Sequence, residues 1–333
     1  DRKVTFEGVT KINSNAYFCL PTGDTITRDS RYGRGIIAND GNALEFITIT
    51  TLGNAQDFGD MTYTQSGYAT CLGSSTRGLI AGGYNPHSNN IDYITISTTG
   101  NAKEFGEIGL TNGVYSMGPA GSNTRGIFAG GHQEPGVPNA IAAQQQINYV
   151  TFASLGNSSD FGDLVQGVRY PAGFSSPTRA VFAGGRTNDP APAANKNVIQ
   201  YVTIATTGAA QDFGDLTYSG SGGVYAARAV SSSTRGVIGG GVISPNYINH
   251  IDYLTISSTG NSQEFGDLNA TVTHAATMSN SKRGVFAGGY NPAATNAMSF
   301  VTISSAGNSV DFGDTTSAAT APSGMSDSHG GLG

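Results

Sequence analysis

Tryptophan is absent from this chain, cysteine occurs only twice, and charged residues make up just 12% of it. Each shortage excludes something. Two isolated cysteines, Cys19 and Cys71, cannot build the disulfide framework of a small secreted domain, and they read as small buried apolar residues. The net charge is −6 and no Lys/Arg cluster occurs anywhere, so the basic footprint of a nucleic-acid or anionic-membrane binder is missing. No nucleic-acid partner is expected. No apolar run approaches the roughly 20 residues that cross a bilayer, and no signal-peptide pattern opens the chain, which predicts a soluble protein without membrane insertion. The first residue is Asp1 rather than Met, as in a processed chain or a piece of a longer one.

Glycine, by contrast, fills 48 positions, and 15 Tyr with 15 Phe supply what a core requires. A tripeptide Phe-Gly-Asp/Glu begins at Phe58, Phe105, Phe161, Phe213, Phe265 and Phe312, at spacings of 47, 56, 52, 52 and 47 residues. A period near 50 marks a repeat architecture. In every unit an aromatic stands 12 residues before the tripeptide Phe and leads an apolar, β-branched run, such as Tyr93 to Ile96 or Tyr253 to Ile256. These runs are strands. The connection to the next strand reads Thr99-Gly100-Asn101 or Thr259-Gly260-Asn261, where Gly and Asn tolerate the positive φ of a tight turn. Earlier in each unit lies a strand with an Arg-Gly start and a Gly-Gly finish, as in Arg77 to Gly83 and Arg283 to Gly289. The fourth unit reads Arg179-Ala180, and the first lacks the Gly pair. Between each tripeptide and the next Arg there is room for one more strand. Four strands per period of about 50 residues is the arithmetic of a propeller blade.

With strands a, b, c and d in chain order, Arg opens b and the tripeptide lies on d. From each Arg to the following aromatic the count runs 12, 16, 24, 22, 18 and 17, whereas the c to d spacing is constant. In an up-and-down blade the b–c and d–a connections emerge on one face and the others on the opposite face. One face is therefore variable and the other uniform. The expected fold is all-β, with six four-stranded blades and seven as the fallback. The residues from Thr315 onward supply a last strand a that joins the N-terminal b, c and d strands and closes the ring, removing open edges. Residues 1–24 are assigned to a lead-in strand or linker, with Tyr17 to Leu20 as its strand, and 25–333 to one propeller domain.

The order of signals resembles the kelch repeat, with Phe of the tripeptide where a kelch motif usually carries Trp. Units such as Ile251 to Asn261, followed by Phe265-Gly266-Asp267-Leu268, look like repeat proteins of tailed phages of marine cyanobacteria and their relatives. The opening stretch Ala16-Tyr17-Phe18-Cys19-Leu20-Pro21 looks like the start of such modules too. That resemblance implies a virion structural or tail component at the particle surface, with other virion proteins and a host surface glycan or protein as partners, and homo-oligomerisation as an option.

The recurring Arg (Arg34, Arg77, Arg125, Arg179, Arg235, Arg283) and the recurring acid (Asp60, Glu107, Asp163, Asp215, Asp267, Asp314) occur once per blade, whereas a reactive centre is singular. The Arg fork is expected to satisfy carbonyls or a carboxylate of the neighbouring repeat. Gly239-Gly240-Gly241 lacks the helix and Lys-Ser/Thr of a phosphate loop, and reads as a strand end. Five histidines, His87, His132, His250, His274 and His329, show no metal-ligand spacing. No catalytic set, cofactor or metal is assigned, and an enzyme is not expected. Carboxylates outside the repeat are few, Glu45, Glu134 and Asp189 among them, and a glycan-active enzyme, the alternative reading, would have to bring two of them together. An intracellular kelch-type adaptor is the other alternative. Recognition is assigned to the variable loops, because loops on a rigid scaffold carry it. Tyr84, Asn85, His87, His132, Gln133, Glu134, Arg186, Asp189, Tyr247, Tyr290 and Asn291 are the candidates, Tyr stacking on apolar sugar faces and amides pairing with hydroxyls.

Overall fold

The computed structural model describes residues 33–110, 112–133, 143–187, 194–217 and 222–332. They form six antiparallel four-stranded sheets arranged as a β-propeller, the fold the repeat predicts. Blade 2 shows the pattern: strand a Thr70–Gly73, b Arg77–Ala81, c Asn90–Thr95 and d Lys103–Glu107. The a strands of successive blades stand side by side around the axis, and the d strands lie outermost. Blade 1 is built from both ends of the described chain. Its strand a, Ser323–Ser326, pairs antiparallel with strand b, Arg34–Ala38, with Gly35 opposite Ser326 and Ala38 opposite Ser323. The proposed lead-in over residues 1–24, with Tyr17 to Leu20 and Cys19, lies outside the described residues.

Apolar burial explains why the sheets stack as they do. Strand b is buried on both faces over the four residues after its Arg in every blade, so it reads as a continuous apolar run rather than an alternating one. Each hydrophobic cluster is shared by two neighbouring blades. Leu72, Leu79, Ile91 and Phe105 of blade 2, for example, meet Phe128, Val150 and Phe152 of blade 3. The interface between blades 6 and 1 is of the same kind, Met278, Val285, Met298 and Phe312 packing on Ile37, Ile47 and Ile49. Cys71 is a free buried thiol in one of these layers.

The conserved-length c–d hairpin has a second purpose. The carbonyl of each tripeptide Phe accepts a hydrogen bond from the turn Gly of the next blade: Gly100, Gly156, Gly208, Gly260 and Gly307 take blades 1 to 5, and Gly53 closes the circle on Phe312, all at 2.7–2.9 Å. The carbonyl of the tripeptide acid accepts a second bond two residues further on, as from Ala102 to Asp60 and from Ala55 to Asp314, both at 2.8 Å. Here the Gly of the tripeptide has a positive φ, between +139° and +156°, and a Cβ on it would run into the backbone of the facing turn Gly. The turn Asn does not adopt positive φ, contrary to the sequence reading. Asn54, Asn101, Asn157, Asn261 and Asn308 instead accept a hydrogen bond through Oδ1 from the tripeptide acid's N–H of the previous blade, at 3.0–3.1 Å. In the remaining blade Ala209 stands at that position.

The recurring Arg satisfies carbonyls, as expected, and not the recurring carboxylates. Arg34, Arg77, Arg125, Arg179, Arg235 and Arg283 donate through Nη1 to Ile96, Phe152, Ile204, Ile256, Ile303 and Ile49, at the end of strand c in the next blade, at 2.5–3.3 Å. Each guanidinium also lies 4.4–4.7 Å from the centroid of its own blade's strand-c aromatic. That ring in turn meets the tripeptide Phe edge-on, with centroids 5.7–6.3 Å apart. Glu45, read as outside the repeat, occupies a repeated position. Like Asp92 and Asp252, it is buried on strand c and accepts from the Thr four residues after the tripeptide Phe of the previous blade: Thr316 for Glu45, Thr62 for Asp92 and Thr217 for Asp252.

Removing one of the six Arg contacts leaves a carbonyl without its donor and a ring without its cation. Arg179→Ala is expected to lower unfolding free energy by about 1–3 kcal/mol in urea titration. Arg179→Lys, which keeps charge but not the planar fork, should fall between. Wild-type stability in the Ala variant would contradict this role.

Candidate functional site

The b–c and d–a connections gather at one end of the barrel, where they pair with one another. Val114–Tyr115 pairs with His132–Gln133, and single bridges join Arg169 to Arg186, Tyr225 to Val242 and Thr273 to Tyr290. Length variation therefore falls on one face. Tyr68, Ser116, Tyr170, Ala226 and His274 each stand two residues before a strand a and share φ of 55–65°. Their backbones are linked head to tail around the axis: Tyr68 donates to Ala321, Ser116 to Tyr68, Tyr170 to Ser116, Ala226 to Tyr170 and His274 to Ala226, at 2.9–3.1 Å. The sixth bond, from Ala321 N–H to the His274 carbonyl, is not formed, so the chain of links has one gap.

Six side chains aimed at one axis cannot all be large, and the sequence alternates them. Tyr68, Tyr170 and His274, from blades 2, 4 and 6, meet at the axis, with ring centroids 5.0–6.2 Å apart. Ser116, Ala226 and Ala321 fill the gaps. Around this cap the rings continue outward. Tyr115 lies 5.8 Å from Tyr68, 5.1 Å from Tyr84, 5.5 Å from His87 and 4.6 Å from His132. On the other side Tyr225 lies 6.0 Å from Tyr170, and Tyr247 lies 5.8 Å from Tyr290. Burial, followed by the Tyr290 and Tyr225 hydroxyls, pushes the Tyr247 phenol above its ordinary range.

Of the residues nominated from sequence, Tyr84, His87, His132, Arg186, Tyr247 and Tyr290 belong to this aromatic face. Asn85 is exposed at its rim, and its carbonyl accepts from Ser66 Oγ at 3.1 Å. Gln133 is tied into the short ladder opposite Val114, and the Asn291 amide donates to Thr271 Oγ1, so both are engaged locally. Glu134 and Asp189 lie outside the described residues. Sequence reading passed over Tyr68, Tyr115, Arg169, Tyr170, Tyr225, Arg228 and His274 as members of one surface. A signal was present: five successive d–a connectors carry an aromatic or His two or three residues before strand a, alternating between the two positions. Among the described residues no group of His, Cys, Asp or Glu is placed to hold a metal ion.

Below the cap, Arg228 projects from the start of blade 5 strand a. It borders a cavity of about 20 Å³ lined also by Met117, Pro119, Thr277 and Ser323. No carboxylate pairs with it among the described residues, and desolvation lowers its pKa to about 10. A second chamber of about 60 Å³ lies further down the axis, bordered by Phe174, Met278, Met325 and His329. Its floor is a hydroxyl ladder. Ser175, Ser231, Ser279 and Ser326 each donate through Oγ to the carbonyl one blade back, at 2.7–3.0 Å. Where Gly121 offers no hydroxyl, His329 Nε2 donates to the Gly73 carbonyl at 2.7 Å while its Nδ1 accepts from Gly331 N–H. The loop carrying His329 thus plugs the lower end.

Compared with protein-family models and with curated proteins, the chain matches none of them. What the structure itself defines is a six-bladed β-propeller with a plugged channel and one aromatic, arginine-bearing face.

Two measurements follow from this electrostatics. Burial, then Arg169 and His87, lowers His132 to about 4, and burial also depresses His274 and His329. Below the unfolded value near 6.5 the unfolded chain takes up protons that the folded chain refuses, so stability falls as pH drops from 6.5 towards 4. His250, raised mainly by its bond to Asp252, and the carboxyls of Asp92 and Asp327, raised by burial, act in the opposite direction against the three depressed histidines. Thermal unfolding should show a falling Tm over that window, with His132→Gln losing about 1–3 kcal/mol less than wild type; a flat profile would contradict the neutral burial. Arg228→Met is expected to raise stability by about 1 kcal/mol or more, because an unpaired interior cation gives way to apolar packing. A lowered Tm in that variant would show that Arg228 has a partner holding it.

Proposed function

We propose that this chain is a non-enzymatic virion protein of tailed-phage type, a divergent kelch-like propeller displayed at the particle surface, whose variable face contacts a glycan on the host. The observation that carries this reading is the continuous aromatic face centred on Tyr68, Tyr115 and Tyr170 and extended by the partly open rings of Tyr84, His87 and Tyr247. Rigid aromatic surfaces with few losable degrees of freedom suit binding of flat apolar sugar faces, and the propeller holds them in place without reorganisation. Repeated polar residues support the same division: Arg, Glu45, Asp92 and Asp252 are consumed in blade-to-blade contacts. That leaves the upper loops as the segments free to differ. The uniform lower face and outer girdle are the surfaces offered to other virion proteins or to further copies of the chain.

The test is retention of the purified protein on host cells and on polysaccharides extracted from them. Tyr84→Ala combined with Tyr247→Ala should weaken binding about 3- to 10-fold per ring removed. Release of shortened saccharide from those polymers would replace the binding role with an enzymatic one, and unchanged binding of the double variant would move the contact off this face.

A further inference from the structure

Arg169 and Arg186 stand directly opposite one another in the short ladder above blade 4. Arg169 N–H donates to the Arg186 carbonyl at 3.0 Å, and Arg186 N–H returns the bond at 2.9 Å. A hydrogen-bonded antiparallel pair sets the two Cα atoms about 5.5 Å apart and puts both side chains on one side of the ladder. Like charges so placed repel. Neither guanidinium forms an ion pair among the described residues, in a chain holding 23 Asp and Glu against 17 Lys and Arg. The six repeated arginines each reach a carbonyl of the next blade, whereas these two do not.

Their surroundings are specific. Arg169 Nη1 donates to His132 Nδ1 at 2.9 Å, and its guanidinium lies 5.4 Å from the Tyr170 ring. Arg186 lies 5.1 Å from the Tyr225 ring, and Tyr170 and Tyr225 are themselves neighbours at 6.0 Å. Both Nε atoms are buried with no hydrogen-bond partner. The arrangement occurs once in the ring: at the matching bridges the pairs are Tyr115 with His132, Tyr225 with Val242, and Thr273 with Tyr290. A feature present in one blade of six is not required by the repeat.

We infer that this pair is the anion-reading subsite of the recognition face, and that the ligand is an acidic saccharide. Two guanidinium forks match the two oxygens of a carboxylate or the oxygens of a sulfate ester. The adjacent Tyr170 and Tyr225 rings supply the surface on which the apolar face of the same sugar residue rests. A polyphosphate backbone would require a line of cations, and the acidic chain has none. This inference rests on the glycan-contact reading above and adds the charge of the sugar to it.

The experiment uses the full chain and three kinds of oligosaccharide of equal length: oligogalacturonate, its methyl ester, and a sulfated galactan, with binding followed by calorimetry at pH 7. The carboxylated or the sulfated ligand should bind at least 10-fold more tightly than the ester, and whichever of the two binds more tightly identifies the anion. Arg169→Gln and Arg186→Gln should each remove that preference while the weaker binding of the ester persists. Arg186→Lys should restore part of it. Circular dichroism and Tm serve as the folding control, and neither arginine belongs to the six whose Nη1 donates to a strand-c carbonyl of the next blade. Equal binding of acid and ester, or a preference untouched by both Gln variants, overturns the acidic subsite and leaves the glycan reading standing. Absence of binding to all three ligands and to host polysaccharide overturns both.

Discussion

The fold depends on one backbone hydrogen bond repeated around a circle: the N–H of a turn glycine in one blade donating to the carbonyl of the tripeptide Phe in the blade before. It closes because Gly53 reaches Phe312 with the same geometry that Gly100 uses for Phe58. A hydrogen bond of this kind adds only about 1 kcal/mol net. Its importance is geometric, since it fixes the spacing at which one sheet meets the next. At that spacing the apolar faces of adjacent sheets interlock, and the guanidinium at the start of strand b reaches the end of strand c next door. Backbone, apolar layer and arginine thus enforce one inter-blade distance, and repetition converts that distance into a ring.

A ring with sixfold backbone symmetry meets its limit at the axis, where equal side chains would collide. The chain resolves this differently at the two ends. At the upper end large and small residues alternate, so that Tyr68, Tyr170 and His274 share a space flanked by Ser116, Ala226 and Ala321. At the lower end small hydroxyls pass hydrogen bonds from blade to blade, and His329 substitutes where a glycine breaks the sequence. The upper solution leaves aromatic edges and arginines facing outward, and the lower one leaves a closed floor. On the proposed glycan-contact reading, recognition falls at the end where side chains differ between blades.

The distance between repeat and site also explains how a chain with few charges can hold cations that form no ion pair among the described residues. Six of the nine arginines among the described residues are committed to carbonyls at the blade interfaces, where a neutral acceptor suffices. Arg169, Arg186 and Arg228 stand apart from that scheme, in blades 4 and 5 and near the axis. Desolvation acts on Arg228 strongly enough to lower its affinity for its proton, and the same burial keeps His132 and His274 neutral. The upper mouth is therefore a place of low dielectric with fixed positive groups.

By itself the sequence determined the architecture. Phe-Gly-Asp, the aromatic 12 residues before it and the Arg-Gly opening of strand b are local patterns whose spacing fixes strand number, blade number and the face on which loops vary, because each depends only on neighbours along the chain or on an identical unit next door. It also located about half of the aromatic face, through Tyr84, His87, His132, Arg186, Tyr247 and Tyr290. Only the tertiary structure decided the rest. The turn Asn proved to be an inter-blade acceptor, Glu45 a strand-c anchor held by Thr316, and the d–a connectors a ring whose Tyr68, Tyr170 and His274 meet across more than 200 residues of chain. Such meetings arise from closure: residues that no spacing relates become neighbours when six copies turn about one axis, and the axis is not written at any single position of the sequence.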